Sequence, residues 1–119
     1  MKRKKAFVPD RGDAVWISFD PQSGHEQAGR RPALVLSPAA YNERVGLAIM
    51  CPIASHVKGY PFEVALPAGL PLSGVVLADQ VKCLDWRSRK VVLGCALPST
   101  TVAQVLRKLN ALLQIPTGT

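Results

Sequence analysis

The sequence predicts a mainly β (α+β) fold, in which several short antiparallel strands form a compact barrel and a C-terminal helix follows. Short segments of alternating or continuous apolar residues recur as far as Cys95, with turn-forming residues between them. After Pro98 the apolar period changes from two residues to 3.6, which indicates an amphipathic helix. The chain has 119 residues without repeats or a linker of biased composition, so we expect one domain.

The strands are predicted by their apolar periodicity. In the first, Asp13–Asp20, Val15, Ile17 and Phe19 alternate with the residues between them, as in a half-buried strand. After the second strand, Ser37 and Pro38 favour a single helical turn. The other predicted strands are Ala33–Leu36, Leu47–Ile53, Phe62–Leu66, Val75–Leu84 and Lys90–Cys95.

The C-terminal helix has a predicted start, face and end. Thr101 and Gln104 have the spacing of a capping box, and Pro116 ends the segment. We expect residues 1–7 to form a basic flexible arm, residues 8–115 the domain, and residues 116–119 a frayed end. The face predicted to pack on the sheet consists of Val102, Val105, Leu106, Leu109, Leu112 and Leu113.

The net charge of +7 is compatible with a polyanionic partner. The arm supplies four of the 15 basic residues, which leaves eleven against eight acidic residues and a mildly basic body. The arm is either a solvated leader or a contact to a nucleic-acid backbone, and the sequence leaves both open. The four residues are Lys2, Arg3, Lys4 and Lys5.

The number and spacing of the three cysteines indicate whether the protein works in a reducing or an oxidising compartment. Cys51, Cys83 and Cys95 lie in apolar runs without the spacing of a metal site and are too few for a disulfide framework. We therefore expect buried free thiols, no bound metal, no cofactor and a reducing cytoplasm. The sequence also lacks an apolar stretch long enough to span a bilayer and an apolar signal core, so membrane insertion and secretion are not expected.

The loop from Gly24 to Pro32 is the best candidate for a functional site. Guanidinium groups can bind phosphate oxygens in a bidentate manner and can stabilise the extra charge of a five-coordinate phosphorane. A solvent-facing pair of charges before a strand is an equally good interpretation of the two arginines. The loop combines an imidazole, a carboxylate, an amide and two guanidinium groups on His25, Glu26, Gln27, Arg30 and Arg31.

A second polar segment follows the third strand, where hairpin geometry could bring it beside the first loop. Ser55 and His56 could manage protons on a ribose hydroxyl, while Lys58 and Tyr60 could hold a phosphate and stack a base. Ordinary turn residues are the alternative, and it is the favoured one for His56.

A third set lies around the fifth predicted strand. Gln80 and Lys82 are two residues apart and should share a face of that strand. Arg87, with Trp86 and Arg89, could form a stacking platform, although a tryptophan is more often a core residue or an interface anchor.

Five stretches of the chain resemble the MazF/PemK toxins of type II toxin–antitoxin systems. The resemblance runs from about Val8 through the C-terminal helix and rests on VPDRGDAVWISFDP, EQAGRRPALVLSP, Tyr41–Asn42, KGYPFEV and LADQVKCLDWR. It implies an SH3-like barrel of the CcdB/MazF type, a homodimer and a cognate acidic MazE-like antitoxin. It also implies sequence-specific, metal-independent cleavage of single-stranded RNA at a short, triplet-like, ACA-like site. The implied products carry 2′,3′-cyclic phosphate and 5′-OH ends, and the cleavage of mRNA inhibits translation and growth.

The resemblance also assigns residues. It places the family's essential arginine at Arg31 and its important loop glutamate at Glu26. The family's threonine after the third strand corresponds to Ala54, so that Ser55 would have to take its place, although consecutive strand residues face opposite sides. The expected catalytic residues are Arg31, Ser55 and Glu26, and the expected RNA-binding residues are His25, Gln27, Arg30, His56, Lys58, Gln80, Lys82 and Arg87.

Two other functions remain open. Because of Ala54, the chain could be a weak or catalytically silent module that binds RNA or an antitoxin. A CcdB-like gyrase inhibitor is the weaker alternative, since those toxins depend on a C-terminal Trp-Gly-Ile ending and this chain ends in Gln114–Thr119.

Overall fold

The fold is mainly β. The structure, a computed structural model, describes residues 7–18 and 29–116, and within them seven strands and two helices occur. The strands pair antiparallel in the order β4-β5-β3-β2-β1-β7, and β6 also pairs with β3. The predicted fold class is therefore confirmed. The elements are β1 Asp13–Ser18, β2 Arg30–Val35, α1 Ala39–Val45, β3 Leu47–Ala54, β4 Glu63–Ala65, β5 Val75–Leu77, β6 Lys82–Asp85, β7 Val92–Ala96 and α2 Ser99–Leu113.

The central strands are buried on both faces, which explains why β2 and β3 are rich in continuous apolar residues. One core cluster contains Leu34 and Cys51 and packs against Val102 and Val105 of α2. The cluster on the opposite face consists of Val15, Ile17, Ala33, Val35, Ala48, Met50, Leu84 and Trp86.

The prediction of one continuous strand from Val75 to Leu84 is wrong, because β5 and β6 are separate. Both strands pair with β3, with Met50 opposite Lys82 and Ile53 opposite Val76. Between these pairs β3 advances three residues while the other chain segment advances six. The three additional residues form a protruding turn, in which the Gln80 amide donates to the Leu77 carbonyl at 3.1 Å.

Both helices differ from their predictions at the ends. α1 has seven residues rather than a single turn, and it ends at Gly46, whose φ of 82° is left-handed. α2 has Pro98 at the N-cap with no side-chain cap hydrogen bond, so Thr101 lies inside the helix and the predicted capping box is wrong. Leu113 is 68% exposed and Leu112 49%, so the predicted packing face extends over only the first part of α2.

A buried polar network attaches α1 to the sheet. Asn42 donates to the carbonyls of Pro9 at 2.7 Å and Ser37 at 2.9 Å. The Trp86 indole N–H donates to the Asn42 carbonyl at 3.0 Å, and the Trp86 side chain is only 5% exposed. Trp86 is therefore a core residue rather than a stacking platform.

The cysteine prediction holds only in part. Cys51 is buried, whereas Cys95 is half-buried and Cys83 is exposed; all three are free. Cys83 lies in β6, opposite Ile49 of β3, and its side chain is exposed to solvent.

The predicted arm and frayed end lie mostly outside the described residues. Phe7, the first of the described residues, packs with Val8 against the cluster around Trp86. No helix in residues 7–18 and 29–116 is long and apolar enough to cross a membrane.

Candidate functional site

A groove of about 590 Å³ opens where the start of β2 and the end of β3 lie side by side. The loop after β3 forms one wall, and the turn between β5 and β6 contributes to the rim. The residues lining it are Trp16, Arg31, Pro32, Ile53, Ala54, Ser55, His56, Lys58, Tyr60, Glu63, Pro71, Leu72, Ser73, Leu77 and Gln80.

The structure separates the two adjacent arginines of the candidate loop. Arg31 is exposed and lines the groove, at a β2 position opposite Ile17 of β1. The guanidinium of Arg30 instead donates to the Lys90 carbonyl at 3.1 Å. Consecutive strand residues face opposite sides, so only Arg31 of this pair is directed to the groove.

The loop after β3 meets Arg31 in the groove, as hairpin geometry suggested. Ser55, His56, Lys58 and Tyr60 all line the groove together with Arg31. Ser55 is exposed and lies just beyond the end of β3, so strand alternation does not direct its side chain away. Ala54 and Ser55 both line the groove. The Ser55 hydroxyl therefore lies in the same groove as the Arg31 guanidinium.

Of the third predicted set of residues, Gln80 lies at the groove, whereas Lys82 and Arg87 do not. Gln80 lines the groove because the turn between β5 and β6 protrudes there. Lys82 begins β6 and lies outside the groove lining. Arg87 also lies elsewhere: its guanidinium is 4.7 Å from the centre of the Trp86 ring and donates to the Glu43 carbonyl at 3.0 Å. Arg87 thus fastens the end of α1 to the core.

Three predicted site residues, His25, Glu26 and Gln27, lie outside the described residues. In residues 7–18 and 29–116 no group of three or more His, Cys, Asp and Glu side chains could hold a metal ion.

Sequence reasoning missed two groove residues with distinct chemistry. Trp16 is 36% exposed and faces the groove from β1, opposite Pro32 of β2. A large aromatic residue on the more exposed face of a half-buried strand was the available signal. Glu63 opens β4 and lines the same groove, and the sequence carried no local signal for its role because its partners are backbone amides.

The combination of groups suits a single-stranded polyanion. Arg31 and Lys58 supply cations for phosphates, and Trp16 and Tyr60 supply aromatic surface for bases. Ser55 adds a hydroxyl and His56 adds an imidazole, and both groups can donate and accept hydrogen bonds or protons.

Comparisons with known proteins agree in both sequence and fold. The chain is 45% identical over 112 residues to the endoribonuclease toxin MazF of Escherichia coli K12, covering 94% of this chain and 96% of that protein. It is 57% identical to MazF from Deinococcus radiodurans, whose crystal structure matches with a TM-score of 0.84 over 92% of this chain and 100% of that one. A structure of MazE-MazF from the same organism contains a chain that is 55% identical, with a TM-score of 0.85 and the same coverage.

A family model agrees with these relatives. Residues 10–113 match the model described as PemK-like, MazF-like toxin of type II toxin-antitoxin system. The match includes all the described groove residues, from Trp16 to Gln80. The chain therefore belongs to the family of PemK-like, MazF-like toxins of type II toxin–antitoxin systems.

Proposed function

We propose that the chain is the toxin of a toxin–antitoxin pair and acts as a sequence-specific, metal-independent endoribonuclease on single-stranded mRNA. The observation that carries the proposal is the position of Arg31, which shares one groove with Ser55, His56 and Lys58. The name of the E. coli relative, an endoribonuclease toxin 45% identical to this chain, supports the same activity.

The reaction needs no group beyond the RNA and the side chains. The ribose 2′-oxygen attacks the adjacent phosphorus, the bond from phosphorus to the 5′-oxygen breaks, and 2′,3′-cyclic phosphate and 5′-OH ends result. A proton leaves the 2′-hydroxyl and another reaches the departing 5′-oxygen. Arg31 stabilises the additional charge on the five-coordinate phosphorus, because a guanidinium stays protonated and donates in a fork.

The other residues hold the RNA or move protons. Ser55 positions the scissile phosphate by a hydrogen bond, and Glu26 orients neighbouring groups or accepts the proton. The groove residues His56, Lys58 and Gln80 bind the strand next to the cleavage point. His25 and Gln27 also bind the RNA, whereas Arg30, Lys82 and Arg87 act on RNA that extends beyond the groove.

The proposed partners follow from the relatives. Structures of MazE-MazF from D. radiodurans contain chains that are 50 to 55% identical to this one. We propose that a cognate acidic antitoxin neutralises this chain, that the toxin is a homodimer and that it acts in the cytoplasm, where mRNA is translated. Growth inhibition then follows from the loss of intact mRNA.

The deciding experiment is cleavage of a long RNA by the purified protein in the presence of EDTA, followed by mapping of the ends. We expect cuts at one recurring short sequence, with 2′,3′-cyclic phosphate on one side and 5′-OH on the other. RNA that binds without being cut would favour a catalytically silent module, which Ala54 in place of the family's threonine makes the main alternative. Cleavage that requires a divalent metal would contradict the proposed chemistry.

A further inference from the structure

The loop that carries Lys58 and Tyr60 is fastened by one side chain, Glu63. Its carboxylate accepts two backbone hydrogen bonds, from the Lys58 amide to Oε2 at 3.0 Å and from the Gly59 amide to Oε1 at 2.9 Å. Each oxygen thus binds one of two successive amides, and both bonds are strengthened by the negative charge. Gly59 has a φ of 85°, a left-handed conformation that lets the two amides converge on one carboxylate.

Glu63 is itself well anchored. The next residue, Val64, is 2% exposed and pairs with Val76 of β5. The Glu63 amide also donates to the Tyr60 carbonyl at 3.1 Å, which closes the turn between the loop and β4. The Lys108 ammonium of α2 donates to the Pro61 carbonyl and holds the far end of the same loop.

The negative charge of Glu63 is opposite in sign to the charges of Arg31 and Lys58, which line the same groove. The carboxylate lines the same groove as Arg31 and Lys58, which would attract a phosphate backbone. A negative charge at this place repels a polyanion, so its charge alone cannot be the reason for a glutamate here. The two amides it holds supply a structural reason, since they set where the Lys58 and Tyr60 side chains start.

We propose that Glu63 is a positioning residue that holds the loop of Lys58, Gly59 and Tyr60 in the conformation that binds single-stranded RNA. The inference rests on the proposed function, because it assumes that the groove holds RNA. Glu63 does not touch the reacting atoms; it acts through Lys58 and Tyr60. Its electrostatic effect and its positioning effect have opposite signs, and this makes the proposal testable.

The first test is Glu63→Gln, measured with a short fluorescein-labelled RNA that is 2′-O-methylated at every ribose and therefore cannot be cut. The two amides bind different oxygens of Glu63, and glutamine keeps only one acceptor oxygen, so the present pair of bonds cannot persist and the charge that strengthens them is lost. We expect the Kd to rise about tenfold, as the loss of one charge-assisted hydrogen bond allows. Unchanged or tighter binding would overturn the proposal, because it would leave only the charge effect.

The matched control is Glu43→Gln, which removes the same charge from exposed α1, outside the groove. We expect its Kd to stay within about twofold of the wild type, with any change towards tighter binding. A rise equal to that of Glu63→Gln would also overturn the proposal, since the effect would then be global.

A double-mutant cycle separates positioning from general structural support. Lys58→Ala should weaken RNA binding in the wild type but have much less effect in the Glu63→Gln background, because the loop is already misplaced. In the Glu43→Gln background the effect of Lys58→Ala should be the same as in the wild type. Additive effects of Lys58→Ala and Glu63→Gln would mean that Glu63 does not act through this loop.

A measurement without RNA distinguishes failure of this proposal from failure of the proposed function. Amide hydrogen exchange at Lys58 and Gly59 should be faster in Glu63→Gln, whereas exchange in the core strands should be unchanged. If these amides are unaffected, the positioning role is wrong whatever the protein binds. If their exchange becomes faster but the wild type neither binds nor cuts RNA, the proposed function is wrong. The role of Glu63 in holding the loop then still stands.

Discussion

Gly74 lies against Ala54 so closely that a Cβ atom on Gly74 would overlap the Ala54 carbonyl oxygen and lie 3.2 Å from the Cα of Ser55. Gly74 also has a φ of 121°, which L-amino acids with side chains rarely adopt. The residue directly precedes β5, where β5 pairs with the end of β3. This close approach sets the place at which Ser55 leaves β3 and enters the groove.

We therefore expect Gly74→Ala to destabilise the protein and to displace Ser55. The backbone strain alone should cost about 1–2 kcal/mol, and the clash with the Ala54 backbone should add about 1–3 kcal/mol. Gly69→Ala is the matched control, since Gly69 has a φ of 91° but no atom within 4 Å of the place that a Cβ would take. Urea unfolding measures both free energies, and equal losses in the two variants would show that the contact with Ala54 is unimportant.

Arg31→Ala should abolish RNA cleavage while leaving the fold intact. Arg31 is exposed at the groove, so its loss removes transition-state stabilisation, about 10²-fold or more in kcat, without opening the core. Arg44→Ala is the control with the same charge change, and it should keep cleavage within a few-fold because Arg44 is exposed on α1 and lies outside the groove. Cleavage rates with circular dichroism check the outcome; an Arg31→Ala protein that cuts at nearly the wild-type rate would refute the assignment.

Asn42→Ala should destabilise the fold by about 2–3 kcal/mol, because the carbonyls of Pro9 and Ser37 lose their donor inside the core. Asn110→Ala removes the same side chain from an exposed position of α2 and should change the free energy of unfolding by less than about 0.5 kcal/mol. Urea unfolding of both variants makes the comparison, and similar losses would show that the buried network does not contribute.

Cys51 should make stability fall at alkaline pH. Burial, and to a lesser degree the charge of Asp79, raises the pKa of the Cys51 thiol from 9.0 to about 12. The unfolded chain releases this proton above pH 9.0 while the folded chain keeps it, so the contribution to stability is complete below pH 9.0 and is lost as pH rises towards 12.

The measurement is urea unfolding of the wild type and of Cys51→Ala between neutral pH and about pH 10.5. The stability advantage of the wild type should shrink above pH 9.0 by at most about 1.4 kcal/mol per pH unit. A constant difference across this range would mean that the buried thiol does not couple proton release to unfolding.

Deleting residues 2–5 tests whether the basic arm contacts RNA. Each lost phosphate contact should reduce the slope of log Kd against log salt by about 0.7, the value for single strands. The slope comes from binding of the 2′-O-methylated RNA at several salt concentrations. An unchanged slope would identify the arm as a bystander, and substitution of the same four residues by glutamine would separate charge from length.

The amino-acid sequence by itself determined the fold class, most of the strands and the C-terminal helix. These follow from apolar periods of two and 3.6 residues, which are local patterns. The resemblance to the MazF/PemK toxins also came from contiguous stretches, so it needed no contact between distant residues. The prediction of one strand over Val75–Leu84 failed because the segment contains no glycine or proline that would mark the turn between β5 and β6.

Only the tertiary structure decided which side chains share the groove. Pairing with β1 and β3 directs Arg31 into it, while Arg30 binds the Lys90 carbonyl and Arg87 fastens α1. The contact of Glu63 with the loop after β3 depends on two backbone amides and on the left-handed conformation of Gly59. These features leave no periodic signal in the sequence. Strand periodicity is a local property, whereas these placements depend on register and close approach between segments distant in the chain.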